Sequence, residues 1–174
     1  MGDCKVEAEF VSILYFALIC LGVGFFEEMA FCGCKSLTSV YINSIESWCD
    51  IEFGHNSNPL RGANLFLNKE LVTDLVIPNT VNEVKPWAFQ GCRSLTSVAL
   101  SEGIKSIEQG AFYGCSNLAS ITIPEGVTSI GVQVFLNCSS LSSITIPESV
   151  MSISNGICNG CSRLNTVVIK SREL

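Results

Sequence analysis

The chain has 174 residues, 48% of them hydrophobic and only 15% charged, with a formal net charge of −6. That length supports one domain with a real core, and the composition excludes a disordered chain. The acidic balance argues against a nucleic-acid footprint, and a single histidine, His55, removes most histidine-based catalytic and metal schemes.

In chain order, residues 10–26 come first: a stretch of 17 uncharged, largely apolar residues. That is the lower limit for a membrane span. A secretory leader wants a positive start, but Asp3, Lys5, Glu7 and Glu9 precede it. Cys20 lacks the residue a lipoprotein box needs before it, and Val6 stands where N-myristoylation wants Ser or Thr. No signal peptide is convincing. Leader, membrane segment and degenerate first coil stay open for this stretch. The coil is preferred, because Leu14, Ala17, Ile19, Val23 and Phe26 fall on the apolar columns of a repeat found further on. Residues 1–33 form this first unit.

Residues 34–68 read as an irregular repeat with an insertion. Cys34 and Cys92 are 58 residues apart (92−34), which is not a multiple of 23. Ile45 and Trp48 keep a helical spacing, residues 55–59 read as a polar, turn-rich loop, and Asn68-Lys69 reads as a tight hairpin or strand-to-strand turn. The insertion either packs Trp48 and Phe53 against the rest of the chain or offers a binding loop on a rigid scaffold.

Residues 69–174 are a regular array. Cys92, Cys115, Cys138 and Cys161 are spaced by 23 each (115−92, 138−115, 161−138). Disulfide frameworks do not keep one fixed period, whereas structural repeats do. Apolar columns recur in the same register: Val72, Leu95, Leu118, Leu141 and Leu164; Leu75, Val98, Ile121, Ile144 and Val167; Ile77, Leu100, Ile123, Ile146 and Ile169. Two further columns run through Val81, Ile104, Val127 and Val150, and through Val84, Ile107, Ile130 and Ile153. An aromatic column holds Phe89, Phe112 and Phe135, and Cys158 interrupts it. The V-x-I portion alternates as a short strand does, and Pro78, Pro124 and Pro147 end it. A period this short leaves no room for two helices per unit. The expectation is a β-rich solenoid, one coil per repeat, with short parallel strands stacked between coils and compact 3₁₀ or helical turns. The array stops one strand into a coil, so its open end is a candidate for self-association.

The units LASITIPEGVTSIGVQVFLNC and LSSITIPESVMSISNGICNGC resemble leucine-rich repeats of the BspA-like, or Treponema pallidum-type, class. The gapless resemblance covers residues 69–170 and reaches loosely back to about residue 20, through LGVGFFEEMAFCGCKSLTSVYI. It implies a right-handed leucine-rich-repeat solenoid. It also implies a non-catalytic interaction or adhesion module, on a cell surface or secreted, that binds host or bacterial macromolecules. An insert like the one carrying Trp48, Cys49, Ile51 and Phe53 is common in the class, which makes residues 34–68 an elaborated coil.

The chemistry expected of the residues is modest. Coils stacked at ~4.8 Å put Cys92 and Cys161 ~14 Å apart, so the cysteine column cannot share one zinc. A buried thiol ladder bonding the turn backbone is expected instead. Cys32 and Cys34 have no matching second pair. Cys49 with His55 is the one conceivable hydrolase pair, and no phosphate loop, dinucleotide fingerprint or nucleophile elbow is present. No enzyme, cofactor, metal or small-molecule substrate is expected. The outward strand positions remain: Tyr41, Val76, Ala99, Thr122, Thr145 and Val168 in one column, Ser97, Ser120, Ser143 and Thr166 in the next. They are either ordinary strand composition or an extended platform for a protein or glycan. A structural spacer within a longer surface protein, without its own ligand, is the alternative function.

Overall fold

The computed structural model describes residues 25–170 apart from Glu28 and His55; the reading of residues 10–24 falls outside the described residues. In chain order the elements are β1 (Phe25–Phe26), β2 (Ser39–Ile42), α1 (Ile45–Cys49), β3 (Glu52–Phe53), β4 (Asn64–Leu67), β5 (Glu70–Leu71), β6 (Asp74–Ile77), β7 (Glu83–Val84), β8 (Ser97–Leu100), β9 (Ser106–Ile107), β10 (Ser120–Thr122), β11 (Ser129–Ile130), β12 (Ser143–Ile146), β13 (Ser152–Ile153) and β14 (Thr166–Ile169). From β6 onward each coil contributes one longer and one two-residue strand. The longer strands pair in parallel as β6–β8–β10 and β12–β14, and the short ones as β7–β9–β11–β13. The chain is therefore a β-solenoid with a parallel ladder on two sides. The second apolar pair of each repeat, Val84, Ile107, Ile130 and Ile153, lies on that second ladder.

The register is the one the sequence predicts. Leu75, Val98 and Ile121 are paired across β6, β8 and β10, and Leu95, Leu118 and Leu141 are fully buried. Phe89, Phe112 and Phe135 pile into an aromatic stack, with centroids 5.5 and 6.0 Å apart and rings nearly parallel. The last coil departs from the expected interior. Ile144 and Ile146 are 2% and 3% exposed, whereas their column mates Val167 and Ile169 are 54% and 70% exposed. The side chains have the same chemistry; the difference is a covering coil, which no described residue supplies for β14.

Outside the irregular coil, each described corner carries two residues in the left-handed backbone region, four apart. They are Met29 and Gly33, Trp87 and Gly91, Gly110 and Gly114, Gln133 and Asn137, and Gly156 and Gly160. Left-handed φ costs a side-chain-bearing residue about 1–2 kcal/mol, and Trp87 and Gln133 are held there from the next coil: Trp87 N–H donates to Gln109 O, and Gln133 N–H to Asn155 O. The shared corner also places Phe25–Phe26 and residues 29–42 in the solenoid, with β1 and β3 pairing as short strands do.

The insertion is an elaborated coil. Ser44 caps α1, its Oγ accepting from Ser47 N–H at 3.1 Å. Trp48 is buried against Phe53, with centroids 5.1 Å apart, and its Nε1 donates to Ala88 O at 2.9 Å. Asn68 and Lys69 turn β4 back on β5 as an antiparallel hairpin, both residues at positive φ. The segment after His55 is loop and turn, and its Ser57, Asn58 and Pro59 are buried. Asn58 Nδ2 donates to Trp87 O and Ala88 O at 2.8 Å, and its Oδ1 accepts from Leu60 N–H. The amide side chain adds a second donor to each of two corner carbonyls, which also accept from Gln90 N–H (Trp87 O) and from Trp48 Nε1 (Ala88 O). Val72 is only half-buried, packed against the core, and its N–H donates to Leu65 O at 2.9 Å across the hairpin. Leu65 is fully buried, with its N–H bonded to Ser94 Oγ at 3.0 Å.

Two stability measurements follow from this packing. Leu118→Ala should lose about 2–5 kcal/mol while exposed Lys105→Ala stays within about 0.5 kcal/mol; equal melting temperatures would refute the columns. Gly110 and Gly156 share a left-handed φ, but a Cβ at Gly110 would overlap the Trp87 ring whereas one at Gly156 meets nothing closer than 3.8 Å. Chemical denaturation should therefore show Gly110→Ala to be clearly the more destabilising of the two.

Candidate functional site

The outward face of the longer strands is where the expected contact residues lie. Val76, Ala99 and Thr122 are in register across β6, β8 and β10, and Thr145 pairs with Val168 across β12 and β14. Val76 is 65% exposed; Thr122, Thr145, Ser120, Ser143 and Thr166 are exposed, while Tyr41 and Ser97 are half-buried. In the neighbouring column Ser97 is flanked by Ser120 and Asp74, and Ser143 pairs with Thr166. The columns do not run on one unbroken sheet. The strand ladder is interrupted between β10 and β12, and hairpin strand β5 occupies the edge of β4.

Tyr41 therefore sits in the separate β2–β4–β5 sheet, where its ring stacks on Phe66 at 4.7 Å. Phe66 escaped the sequence reading because the insertion shifts it out of the repeat register. Asp74 escaped it as well, although 97−74 gives the same spacing of 23. The Ser97 hydroxyl donates to Asp74 Oδ1 and the Thr73 hydroxyl to Oδ2. These two bonds, that of Ser97 first, hold the Asp74 carboxyl below its ordinary range. Ser97 is thus committed to a neighbour, and Asp74 is the fixed negative charge of the face.

The thiol column forms the ladder expected of it. Cys115, Cys138 and Cys161 donate through Sγ to Phe89 O, Phe112 O and Phe135 O at 3.0–3.1 Å. Each thiol thereby satisfies a carbonyl of the coil before it. Cys32, Cys49, Cys92, Cys115, Cys138, Cys158 and Cys161 are in no disulfide. Cys158 replaces the ring of the aromatic column and shares a turn with Cys161, whose N–H bonds Cys158 O at 3.1 Å. Burial pushes the thiols of Cys92, Cys115, Cys138 and Cys161 up, and that of Cys158 up to about 11. Cys49 is pushed up to about 12, by burial first and then by Asp50 and Glu46. A thiol held protonated is the reverse of an activated nucleophile, and His55 lies outside the described residues. Among the described residues no group of three or more His, Cys, Asp or Glu side chains is placed to hold a metal, and no helix is long and apolar enough to cross a membrane.

The BspA-type leucine-rich repeat model matches residues 61–173 in six copies. The chain belongs to the BspA-type leucine-rich repeat family. Family and fold are those of repeat modules used in protein interaction, typically without enzymatic activity. A leucine-rich repeat protein of Bacteroides capillosus is 26% identical, with a TM-score of 0.53, over 57% of this chain and 78% of that one. A leucine-rich cell surface protein of Faecalibacterium prausnitzii is 22% identical, with a TM-score of 0.60, over 86% of this chain and 52% of that one. The pneumococcal vaccine antigen PcpA shares the fold at 14% identity and a TM-score of 0.59, over 76% of this chain and 38% of that one. This chain thus matches about half of the F. prausnitzii protein's length. No curated protein matches the sequence.

The raised thiols set an alkaline limit on stability. A folded-state pKa above the unfolded value, near 9.0, gives stability that is complete below about pH 9 and is lost as pH rises beyond it, where only unfolded thiols ionise. Melting temperature should fall above about pH 9, and less steeply in Cys115→Val; an unchanged alkaline slope in that variant would contradict the ladder's burial.

Proposed function

We propose that the BspA-type array is a non-catalytic recognition module, acting at a cell surface in adhesion and gripping a host or bacterial macromolecule on the outward face of its longer strands. The observation that carries the reading is the register of Val76, Ala99 and Thr122, which sets a valine, an alanine and a threonine side by side on solvent with no intervening charge. Methyl groups and hydroxyls repeated at strand spacing suit an extended protein or glycan, because contacts made weakly at each rung add along the array. Asp74 and the Tyr41–Phe66 pair give the first coils a charge and an aromatic edge. The surface location of the F. prausnitzii relative, by its description, agrees with export.

Binding of the full chain to panels of extracellular-matrix proteins and glycans tests it. Thr122→Arg should abolish capture of the selected ligand and Tyr41→Ala should weaken it, with melting temperatures unchanged. Capture that survives Thr122→Arg would contradict the platform.

A further inference from the structure

Away from the strand face, where the corners of four successive coils turn toward their longer strands, lies a groove of about 400 Å³. Its floor is backbone: Gly62, Gly91 and Gly114 line it in sequence, and Gly62 N–H donates to Gly91 O at 2.9 Å. The close approach requires glycine at the centre, since a Cβ on Gly91 would stand 2.8 Å from Arg61 Cα. Arg61 and Arg93 line the groove and are exposed. Among the described residues neither guanidinium makes an ion pair, and no carboxylate lines the groove. In a chain of net charge −6, two unneutralised arginines converging on one groove are a local reversal of sign.

Two further features restrict what would fill it. Gln90 lines the groove, is only 3% exposed, and its Oε1 is the one buried side-chain polar atom among the described residues without a hydrogen-bond partner. A buried acceptor left unsatisfied is costly, a deficit that a hydroxyl donor would remove. Tyr113 also lines the groove, steadied edge-on by Trp87 with centroids 6.2 Å apart. We infer that this groove is a second binding site, for an acidic saccharide: a sugar whose sulfate or carboxylate is held by Arg61 and Arg93, with a hydroxyl donated to Gln90 Oε1 and its C–H face against Tyr113. The anion calls on the planar, bidentate donors of arginine. The orphaned acceptor calls on a ligand that also donates, which a bare anion does not. The site shares no residue with the strand-face platform, so either can fail alone.

Titration of the full chain at low salt with a heparin-type sulfated tetrasaccharide, 3′-sialyllactose, lactose, inorganic sulfate and a short poly-glutamate peptide tests the site, and the first two separate a sulfate from a carboxylate source. One of the acidic saccharides should bind more tightly than the other three probes and weaken as salt rises. Arg61→Ala and Arg93→Ala should each cost about tenfold or more, at unchanged melting temperature because both side chains are exposed. Gln90→Leu should weaken the saccharide and leave inorganic sulfate unaffected, and exposed Met151→Ala, in neither site, should change nothing. Failure of both acidic saccharides to bind, binding indifferent to the double arginine variant, or equal affinity for lactose, sulfate or the peptide would each overturn the assignment.

Discussion

A coil of this solenoid has almost no interior of its own; its apolar side chains leave water only when the next coil is laid on top in register. The contrast between Ile144 and Val167, which occupy the same position on hydrogen-bonded strands, isolates that constraint. Backbone hydrogen bonding follows the same rule. Lys105 N–H donates to Asn82 O, Thr128 N–H to Lys105 O and Met151 N–H to Thr128 O, so each rung completes the one before it. Stability in such a chain is a sum of interfaces between neighbours, not of contacts within coils.

That dependence explains details which local propensity does not. Trp87 and Gln133 hold left-handed backbone where glycine serves in other coils, because the corner must repeat for the strands to meet. The thiols of the ladder are small donors placed under carbonyls of the preceding coil, and burial, not reactivity, decides their chemistry. The insertion obeys the same demand: Trp48 and Asn58 both reach the carbonyl of Ala88, joining the irregular coil to the first regular corner.

The parts legible in the sequence are those where one residue's role repeats at a fixed interval. The aliphatic columns, the phenylalanine stack and the thiol ladder are of this kind, and the hairpin at Asn68-Lys69 was legible from its own turn chemistry. What stayed hidden depends on proximity that no period encodes. Arg61 and Arg93 are 32 residues apart (93−61) and meet in one groove only because the insertion changes the length of its coil. Asn58 looks like a loop residue until the carbonyls of Trp87 and Ala88 are seen beside it. Of the strand face, the column order was readable, but the commitment of Ser97 to Asp74 and the break between Tyr41 and Val76 were not, since both arise where the array is irregular.

The strand face and the corner groove lie on the outside because the interior is consumed in stacking, so the vertical register is the claim on which both proposed sites rest. Methyl-to-methyl nuclear Overhauser spectroscopy on the full chain, with leucine, valine and isoleucine methyls labelled, tests it in solution. Cross-peaks should join Leu95 to Leu118 and Leu118 to Leu141, one coil apart at ~4.8 Å per strand, and none should join Leu95 directly to Leu141. Leu118 methyls connected to neither neighbour would contradict the stacked register.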